Sequence, residues 1–217
     1  RQRQMCIRDS FKGVGDFFKF WIRTGLEVFN LTQIEIDAFY LTIKVALFSI
    51  AICLPTGVTV AFILSRATFP GKWLLDGLVH LPLVMPPVVV GYILLILLGK
   101  RGVVGEWLFQ TFDITVAFSW KGAAIASAVM AFPLMVRAVR LSLDSIDRGL
   151  EAAARTLGSN KIKVFFTITL PVSLPGVIAG TILAFARSLG EFGATITCVS
   201  NIPGETQTLP LALYNFT

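Results

Sequence analysis

The chain has 217 residues, of which 55% are hydrophobic and 15% are charged, and its mean hydropathy is +0.76. Because an average soluble domain carries about 25% charged residues, this composition excludes an ordinary soluble domain and indicates a membrane protein. The net charge of +6 comes from loops between apolar runs and forms no basic stripe with stacking aromatics. It therefore argues against nucleic-acid binding and fits membrane orientation and contact with anionic lipid.

Residues that support metal binding or catalysis are scarce. The three cysteines, Cys6, Cys53 and Cys198, lie far apart without C-x-x-C spacing, which predicts neither a zinc site nor a disulfide framework. His80 is the only histidine, and we expect it to be a residue of the helix bundle rather than a ligand. The sequence predicts no metal site and no cofactor in this chain. A membrane-embedded enzyme is the less favoured alternative, because no convergent set of acids, bases and nucleophiles is visible.

Residues 1–38 are predicted to form an N-terminal segment, and residues 39–217 the membrane domain. Segment 17–31, FFKFWIRTGLEVFNL, is too short and too charged to span and is typical of an interfacial amphipathic helix. The first ten residues, RQRQMCIRDS, are unlike the rest, and we expect them to be non-native.

Four apolar segments approach the length of about 20 residues that a membrane-crossing helix needs. They are 39–64, 76–98, 118–136 and 172–189. Backbone groups facing lipid must be satisfied within their own segment, and runs such as YILLILL lack the period-two alternation of barrel strands. The sequence predicts an all-α, polytopic transmembrane helical bundle.

Basic residues in the loops predict the orientation. Loops 65–75 and 137–163 together hold eight Lys and Arg residues, whereas loop 99–117 holds two. The positive-inside rule places the first two loops in the cytoplasm and, by counting back, the N-terminus outside.

Prolines interrupt the second apolar segment. Pro82, Pro86 and Pro87 each remove a backbone donor and are expected to bend or break the helix. Such breaks are tolerated where backbone lines a cavity or packs on protein, and a static kink is the alternative. Gly91, one turn later, permits close approach of another helix.

Arg187 and Glu191 form a charged pair at the outer end of the fourth apolar segment. Their i, i+4 spacing predicts a mutual ion pair that faces the bundle. An anion passing this end could instead meet Arg187, although the neighbouring carboxylate argues against a tight anion site.

A short soluble-looking helix is predicted between the third and fourth segments, where the chain reads DRGLEAAARTLG from Asp147. Asp147 suits the N-cap, and Gly158 suits the left-handed residue that ends such a helix. One face of the helix carries Leu150, Ala153, Ala154 and Leu157. A helix of about three turns is marginal alone, so we expect a partner to pack against it.

This stretch resembles the EAA loop of ATP-binding-cassette importer permeases, with the pattern Glu-Ala-Ala, three residues, Gly, nine residues, Ile-x-Leu-Pro. The matching residues are Ala153, Ala154 and Gly158, and then, after nine residues, Ile168, Leu170 and Pro171. The strict Glu position holds Ala152, and the acidic residue, Glu151, lies one place earlier. The role usually given to that Glu is therefore expected to be shifted or lost.

The resemblance implies a bundle of the importer permease (MetI-like) type in the cell inner membrane, with a cytoplasmic coupling loop at about 137–171. The loop would dock on the ATPase subunit through Glu151, Ala153, Ala154, Arg155, Leu157, Gly158, Leu170 and Pro171. An ordinary amphipathic interhelix loop is the alternative. The resemblance also implies a homodimer, a cytoplasmic ATPase dimer that holds ATP and Mg²⁺, and an extracytoplasmic binding protein. The chain itself has no G-x-x-x-x-G-K-[ST] loop for nucleotide.

Two longer segments resemble the molybdate permease subunits in particular. They are FPGKWLLDGLVHLPLVMPPVVVGYILLILLGKRG (69–102) and SLGEFGATITCVSNIPGETQTLP (188–210). Sulfate permeases tend to have a Pro-Thr-Ala-Val-Ala-Gly type run where this chain has PPVVVG. The resemblance implies ATP-driven import of molybdate by alternating access. We expect the proline kink to line the translocation path, because Gly91 permits close helix approach, and the Arg187–Glu191 pair is a second candidate for that path. Tungstate, sulfate or thiosulfate import and a passive channel remain alternatives.

The end of the sequence carries a further expectation. Residues 191–217 contain no other apolar run of about 20 residues. A permease of this type would return once more across the membrane, so we expect the natural protein to have a terminal span beyond Thr217.

Overall fold

The computed structural model describes residues 33–100, 102–113 and 115–214, and within these ranges the regular structure is entirely helical. The helices are α1 Gln33–Arg66, α2 Lys72–Val84, α3 Pro87–Leu98, α4 Val103–Phe112, α5 Trp120–Asp144, α6 Arg148–Thr156, α7 Lys161–Val164, a π-helical turn Phe165–Thr169, α8 Leu170–Val172, α9 Leu174–Leu189, α10 Gly193–Val199 and α11 Leu209–Tyr214. The predictions for residues 1–32, including the interfacial helix, lie outside the described residues.

Helix α5 forms the centre of the bundle and packs against both α1 and α9. Small side chains make this close packing possible, because without a hydrophobic driving force between helices the backbones must approach one another. The small buried residues of α5 are Gly122, Ala123, Ala124, Ala126, Ser127, Ala128 and Ala131. The all-α bundle predicted from composition and periodicity is confirmed.

Two clusters of buried apolar side chains hold the bundle together, one toward each end of α5. The first includes Leu64 from α1 and Leu143 from α5. The second includes Val45 from α1, Ala123 from α5 and Cys198 from α10. Burial of these side chains fixes the register of α1 against α5 along most of their length.

In the described part of the chain, two helices are long and apolar enough to cross a membrane, and up to four spans result if each bent helix pair counts as one. The long helices, α1 and α5, contain most of the predicted segments 39–64 and 118–136. Helix α5 continues to Asp144, eight residues beyond the predicted end of its segment.

The second predicted segment, 76–98, is interrupted, as its prolines predict, although Pro82 itself lies inside α2. Helices α2 and α3 meet at 113° across Met85 and Pro86. Pro86 has extended backbone angles and Pro87 opens α3. Proline lacks the N–H that would continue the helical ladder and disfavours helical backbone in the residue before it, so the predicted break is confirmed and is large.

The fourth segment is also bent. Residues Ile162–Val172 meet α9 at 66°, and α9 begins at Leu174, two residues later than the predicted start at 172. Loop 99–117 contains a ten-residue helix, α4, that the sequence analysis did not predict.

The loops that carry most of the basic residues lie at the same end of the bundle, as predicted. Arg66, at the end of α1, lies 2.9 Å from Glu151 in α6. Loops 65–75 and 137–163 therefore meet on one side of the helices.

Candidate coupling site and membrane path

Helix α6 has both ends that the sequence predicts. Asp147 Oδ1 accepts a hydrogen bond of 2.8 Å from the backbone N–H of Gly149 and caps the first turn. Gly158 has φ of +84°, in the left-handed region that an L side chain rarely adopts. Its N–H donates to the carbonyl oxygen of Arg155, and that of Ser159 donates to Ala154, which closes the last turn.

The outer face of α6 is open in this structure. Leu150 is 51% exposed and Leu157 is 87% exposed. Ala153 and Arg155 are also exposed, whereas Ala154 is half-buried. The predicted face of two leucines and small residues is therefore present and available to a partner, with a basic side chain beside it.

Glu151 points the other way, toward the body of the bundle, and is 7% exposed. Its Oε1 lies 2.9 Å from Arg66 Nη2 and accepts a hydrogen bond of 2.9 Å from Thr169 Oγ1. Glu151 was predicted to belong to the docking loop, but its contacts with Arg66 and Thr169 were not predicted. The one feature of the sequence that could have indicated these contacts is the position of Glu151, one residue before the strict Glu position of the motif.

The second half of the motif connects α6 to the bundle. Leu170 packs against the apolar cluster that includes Leu64 and Leu143, whereas Pro171 is exposed. The five-residue π-helical turn, Phe165–Thr169, precedes them. Phe165 stacks edge-to-face on Phe62 of α1, with ring centroids 4.7 Å apart.

A second polar network lies at the same end of the bundle. Arg140 Nη1 is 2.8 Å from Asp76 Oδ1, and Arg140 Nε is 3.6 Å from Asp144 Oδ2. Ser65 Oγ donates to Asp144 Oδ1 at 2.5 Å, and His80 Nδ1 lies 2.8 Å from the carbonyl oxygen of Asp76. This network joins α1, α2 and α5, and it places His80 in the bundle as predicted.

A cavity of about 780 Å³ lies beside α6, with Phe62, Phe165 and Phe166 among its apolar walls. Three arginines, Arg66, Arg148 and Arg155, also line it. Among the residues described, no three His, Cys, Asp or Glu side chains come close enough together to hold a metal ion.

The predicted close approach at Gly91 is confirmed. A methyl group added there would overlap the Thr197 hydroxyl of α10 and lie 2.5 Å from the carbonyl oxygen of Ala194. Pro87 makes a similar approach to Gly193, where an added Cβ would lie 2.8 Å from Pro87 Cβ. Helix α3 therefore packs directly on α10.

The predicted ion pair between Arg187 and Glu191 is also confirmed. Arg187 Nη1 lies 2.6 Å from Glu191 Oε2, and the Glu191 side chain is only 1% exposed. Glu191 Oε1 accepts a hydrogen bond of 2.8 Å from Ala194 N, so the same carboxylate caps the start of α10. The structure thus brings the proline kink and the charged pair together through α10, apart from the α6 site.

The described residues thus form a polytopic helical bundle with a capped, exposed helix between two segments that could span a membrane, which is the class of an integral membrane protein. The fold resembles a crystal structure of an amino acid ABC transporter with histidines, at a TM-score of 0.59 and 17% identity, over 88% of this chain and 81% of that chain.

The chain belongs to the family of binding-protein-dependent transport system inner membrane components, which matches residues 28–216. It is a transport subunit and not an enzyme. The molybdenum transport system permease protein ModB of Escherichia coli K12 is 62% identical over 184 residues, which are 85% of this chain and 80% of that protein. The ModB protein of Haemophilus influenzae is 60% identical over 84% of this chain and 80% of its own length. The E. coli sulfate transport system permease protein CysT is 41% identical over 73% of this chain and 57% of its own length.

Proposed function

We propose that this chain is the permease subunit of an ATP-driven importer that moves molybdate across the cytoplasmic membrane by alternating access. The cargo is supported by two relatives, at 62% and 60% identity, that are molybdenum transport system permease proteins. The sulfate permease is the more distant relative at 41% identity, so sulfate and thiosulfate are the second choice. Tungstate, a chemically similar oxyanion, remains an alternative cargo.

One observation carries the proposed mechanism, namely the capped helix α6 with its exposed apolar face. A nine-residue helix exposing Leu150 and Leu157 is marginal in water and gains stability from a partner that covers it. In the proposal the partner is a cytoplasmic ATPase dimer, which binds ATP and Mg²⁺ and moves α6 during its cycle. The docking residues are those of the predicted loop, except that Glu151 and Leu170 face the inside of the permease.

The path for the oxyanion is proposed to lie between two copies of this chain. Helices α3 and α10 would border it, with the break at Pro86 and Pro87, Pro82 one turn before it in α2, and the close contact at Gly91. Broken helices suit such a position because their free backbone groups can face a polar cavity. The Arg187–Glu191 pair would stand beside the path as a fixed, neutralised charge pair, and an extracytoplasmic binding protein would deliver the cargo at the opposite end from α6.

The proposal is tested by reconstituting the chain with its ATPase and binding protein in proteoliposomes. Labelled molybdate should accumulate only when ATP is supplied on the α6 side and the binding protein on the other. A complex with a catalytically inactive ATPase is the control. Uptake without ATP would replace the proposal by a passive channel, and uptake of sulfate in preference to molybdate would replace the cargo.

A further inference from the structure

We propose that Arg66, Glu151 and Thr169 form a transmission clasp that makes the coupling helix α6, the end of α1 and the π-helical turn move as one body. Glu151 is then a positioning residue that acts inside the permease and does not touch the ATPase. The inference rests on the proposed function, because it concerns how movement of α6 reaches the membrane helices.

The clasp joins the end of α1 to two elements about 85 residues or more later in the chain, α6 and the π-helical turn. Glu151 Oε1 lies 2.9 Å from Arg66 Nη2 and receives the Thr169 hydroxyl at 2.9 Å. The Glu151 and Arg66 side chains are only 9% and 12% exposed, and Thr169 is 1% exposed. Hydrogen-bond and ion-pair networks of this kind carry energetic coupling between rigid elements.

The route along the chain is poorly suited to transmit a push from α6. Between α6 and α9 the chain forms one helical stretch, 161–172, which contains the π-helical turn Phe165–Thr169 and then bends by 66°. Single-turn π-helical segments are rare and occur frequently at functional sites. A contact across the fold from α6 to α1 bypasses this turn and this bend, and the Thr169 hydroxyl ties the π-helical turn to the same carboxylate.

The neighbouring residue extends the connection to the centre of the bundle. Ser65 Oγ donates to Asp144 Oδ1 at the end of α5, while Arg66 pairs with Glu151 in α6. Two consecutive residues of α1 therefore fasten the central helix and the coupling helix. A displacement of α6 reaches α1 and α5 through side chains that lie one residue apart.

Stability alone does not account for the pair. Arg66 Nε and Nη2 are buried and have no aligned hydrogen-bond acceptor in the described part of the chain, so the cost of removing the guanidinium from water is only partly offset there. The contact between Nη2 and Glu151 is therefore an ion pair without ideal hydrogen-bond geometry. A buried pair of this kind is explained better by the specific position that it imposes on α6 than by a large contribution to folding.

The test uses the reconstituted complex of this chain with its ATPase and binding protein and measures molybdate imported per ATP hydrolysed. Arg66→Met, Glu151→Gln and Thr169→Val each remove one contact of the clasp. We expect the ATPase to copurify and ATP to be hydrolysed, while import per ATP falls about tenfold for the two charge variants, within the usual range of coupling between sites. The charge swap Arg66→Glu with Glu151→Arg is expected to restore most of the ratio.

Asp76→Asn is the matched control, because it breaks the ion pair with Arg140 at the same end of the bundle and leaves both α6 and the Arg140–Asp144 pair in place. We expect it to lower thermal stability and leave import per ATP unchanged. The clasp is refuted if Arg66→Met and Glu151→Gln keep the wild-type ratio, if Asp76→Asn lowers it equally, or if Glu151→Gln releases the ATPase. Should the charge variants fail to assemble, Thr169→Val decides, because it removes only a hydroxyl, and an unchanged ratio in that variant then overturns the clasp.

A wild-type complex that imports no molybdate would contradict the proposed function but not the clasp. The clasp is then judged from the distance between probes on α1 and α6, measured with and without ATP. The two helices should keep their separation in the wild type and change it in Glu151→Gln. If ATP changes the distance between the probes equally in the wild type and in Glu151→Gln, the clasp is refuted.

Discussion

Gly91→Ala adds one methyl group where α3 packs on α10, and its effect can be worked out from the geometry. The new Cβ would overlap the Thr197 hydroxyl and would lie 2.5 Å from the carbonyl oxygen and 2.8 Å from the Cα of Ala194. Non-bonded carbon contacts are favourable at about 3.5–4.0 Å. Helices α3 and α10 would therefore have to separate by about 1 Å.

The expected cost is at the upper end of the range for overpacking, about 3 kcal/mol. Thr197 can rotate away, but the Ala194 atoms belong to the backbone of α10 and cannot move without the helix. For a chain of this size, about 3 kcal/mol corresponds to a fall in Tm of roughly 6–12 °C. The separation would also disturb the start of α10, which Glu191 caps.

The assay is thermal unfolding of the purified protein in detergent, followed by intrinsic fluorescence. Gly77→Ala is the matched control, since Gly77 lies inside α2 and an added Cβ meets nothing within 4 Å. This variant should be as stable as the wild type or more stable by up to about 1 kcal/mol. Adding Thr197→Ala to Gly91→Ala should restore only part of the loss. If Gly91→Ala unfolds at the same temperature as the wild type, the close packing of α3 on α10 is refuted.

Three further changes address the other parts of the site. Gly158→Val should abolish import and weaken copurification of the ATPase while the chain still inserts, because a β-branched residue is strongly disfavoured at positive φ. Gly158→Asn, which tolerates that conformation, should keep import and copurification, and normal import by the Val variant would contradict the role of Gly158 in ending α6. Asp147→Ala removes the acceptor for Gly149 N–H and should weaken ATPase capture in a pull-down, since loss of an N-cap costs about 0.5–2 kcal/mol; undiminished capture would show that α6 needs no cap. Arg187→Met should lower the free energy of unfolding by about 3–5 kcal/mol, measured by chemical denaturation, because the buried Glu191 carboxylate loses its partner. Arg187→Lys should lower it by less, and equal stability of the Met variant and the wild type would show that the ion pair does not stabilise the fold.

Helix α6 could be predicted from the sequence because its determinants are local. Asp147 at the N-cap, the spacing of Leu150 and Leu157, and Gly158 at the end lie within twelve residues of one another, and the structure has each in the predicted position. The Arg187–Glu191 pair was predictable for the same reason, since residues four apart on a helix are neighbours.

Features that depend on distant residues could not be predicted in the same way. The prolines predicted a break in segment 76–98 but not its size. The 113° angle between α2 and α3 depends on how α3 packs on α10, which lies more than 100 residues later in the chain. The contact of Glu151 with Arg66 likewise joins residues 85 positions apart. A single sequence contains no signal that pairs two such residues among many other charges.

The displaced acidic residue of the motif gains a physical meaning from the direction of the side chains on α6. One residue along an α-helix corresponds to a rotation of about 100°. Position 152, where the strict motif has its Glu, is exposed in this structure, whereas Glu151 faces α1 and is 7% exposed. The one-residue shift therefore turns the carboxylate from the outer surface of the loop to the inside of the bundle, where Arg66 and Thr169 meet it. The outer face keeps Leu150, Ala153 and Leu157, whereas Arg155, four residues after Glu151, lines the same cavity as Glu151. In the proposed function, docking and anchoring therefore use different sides of one short helix.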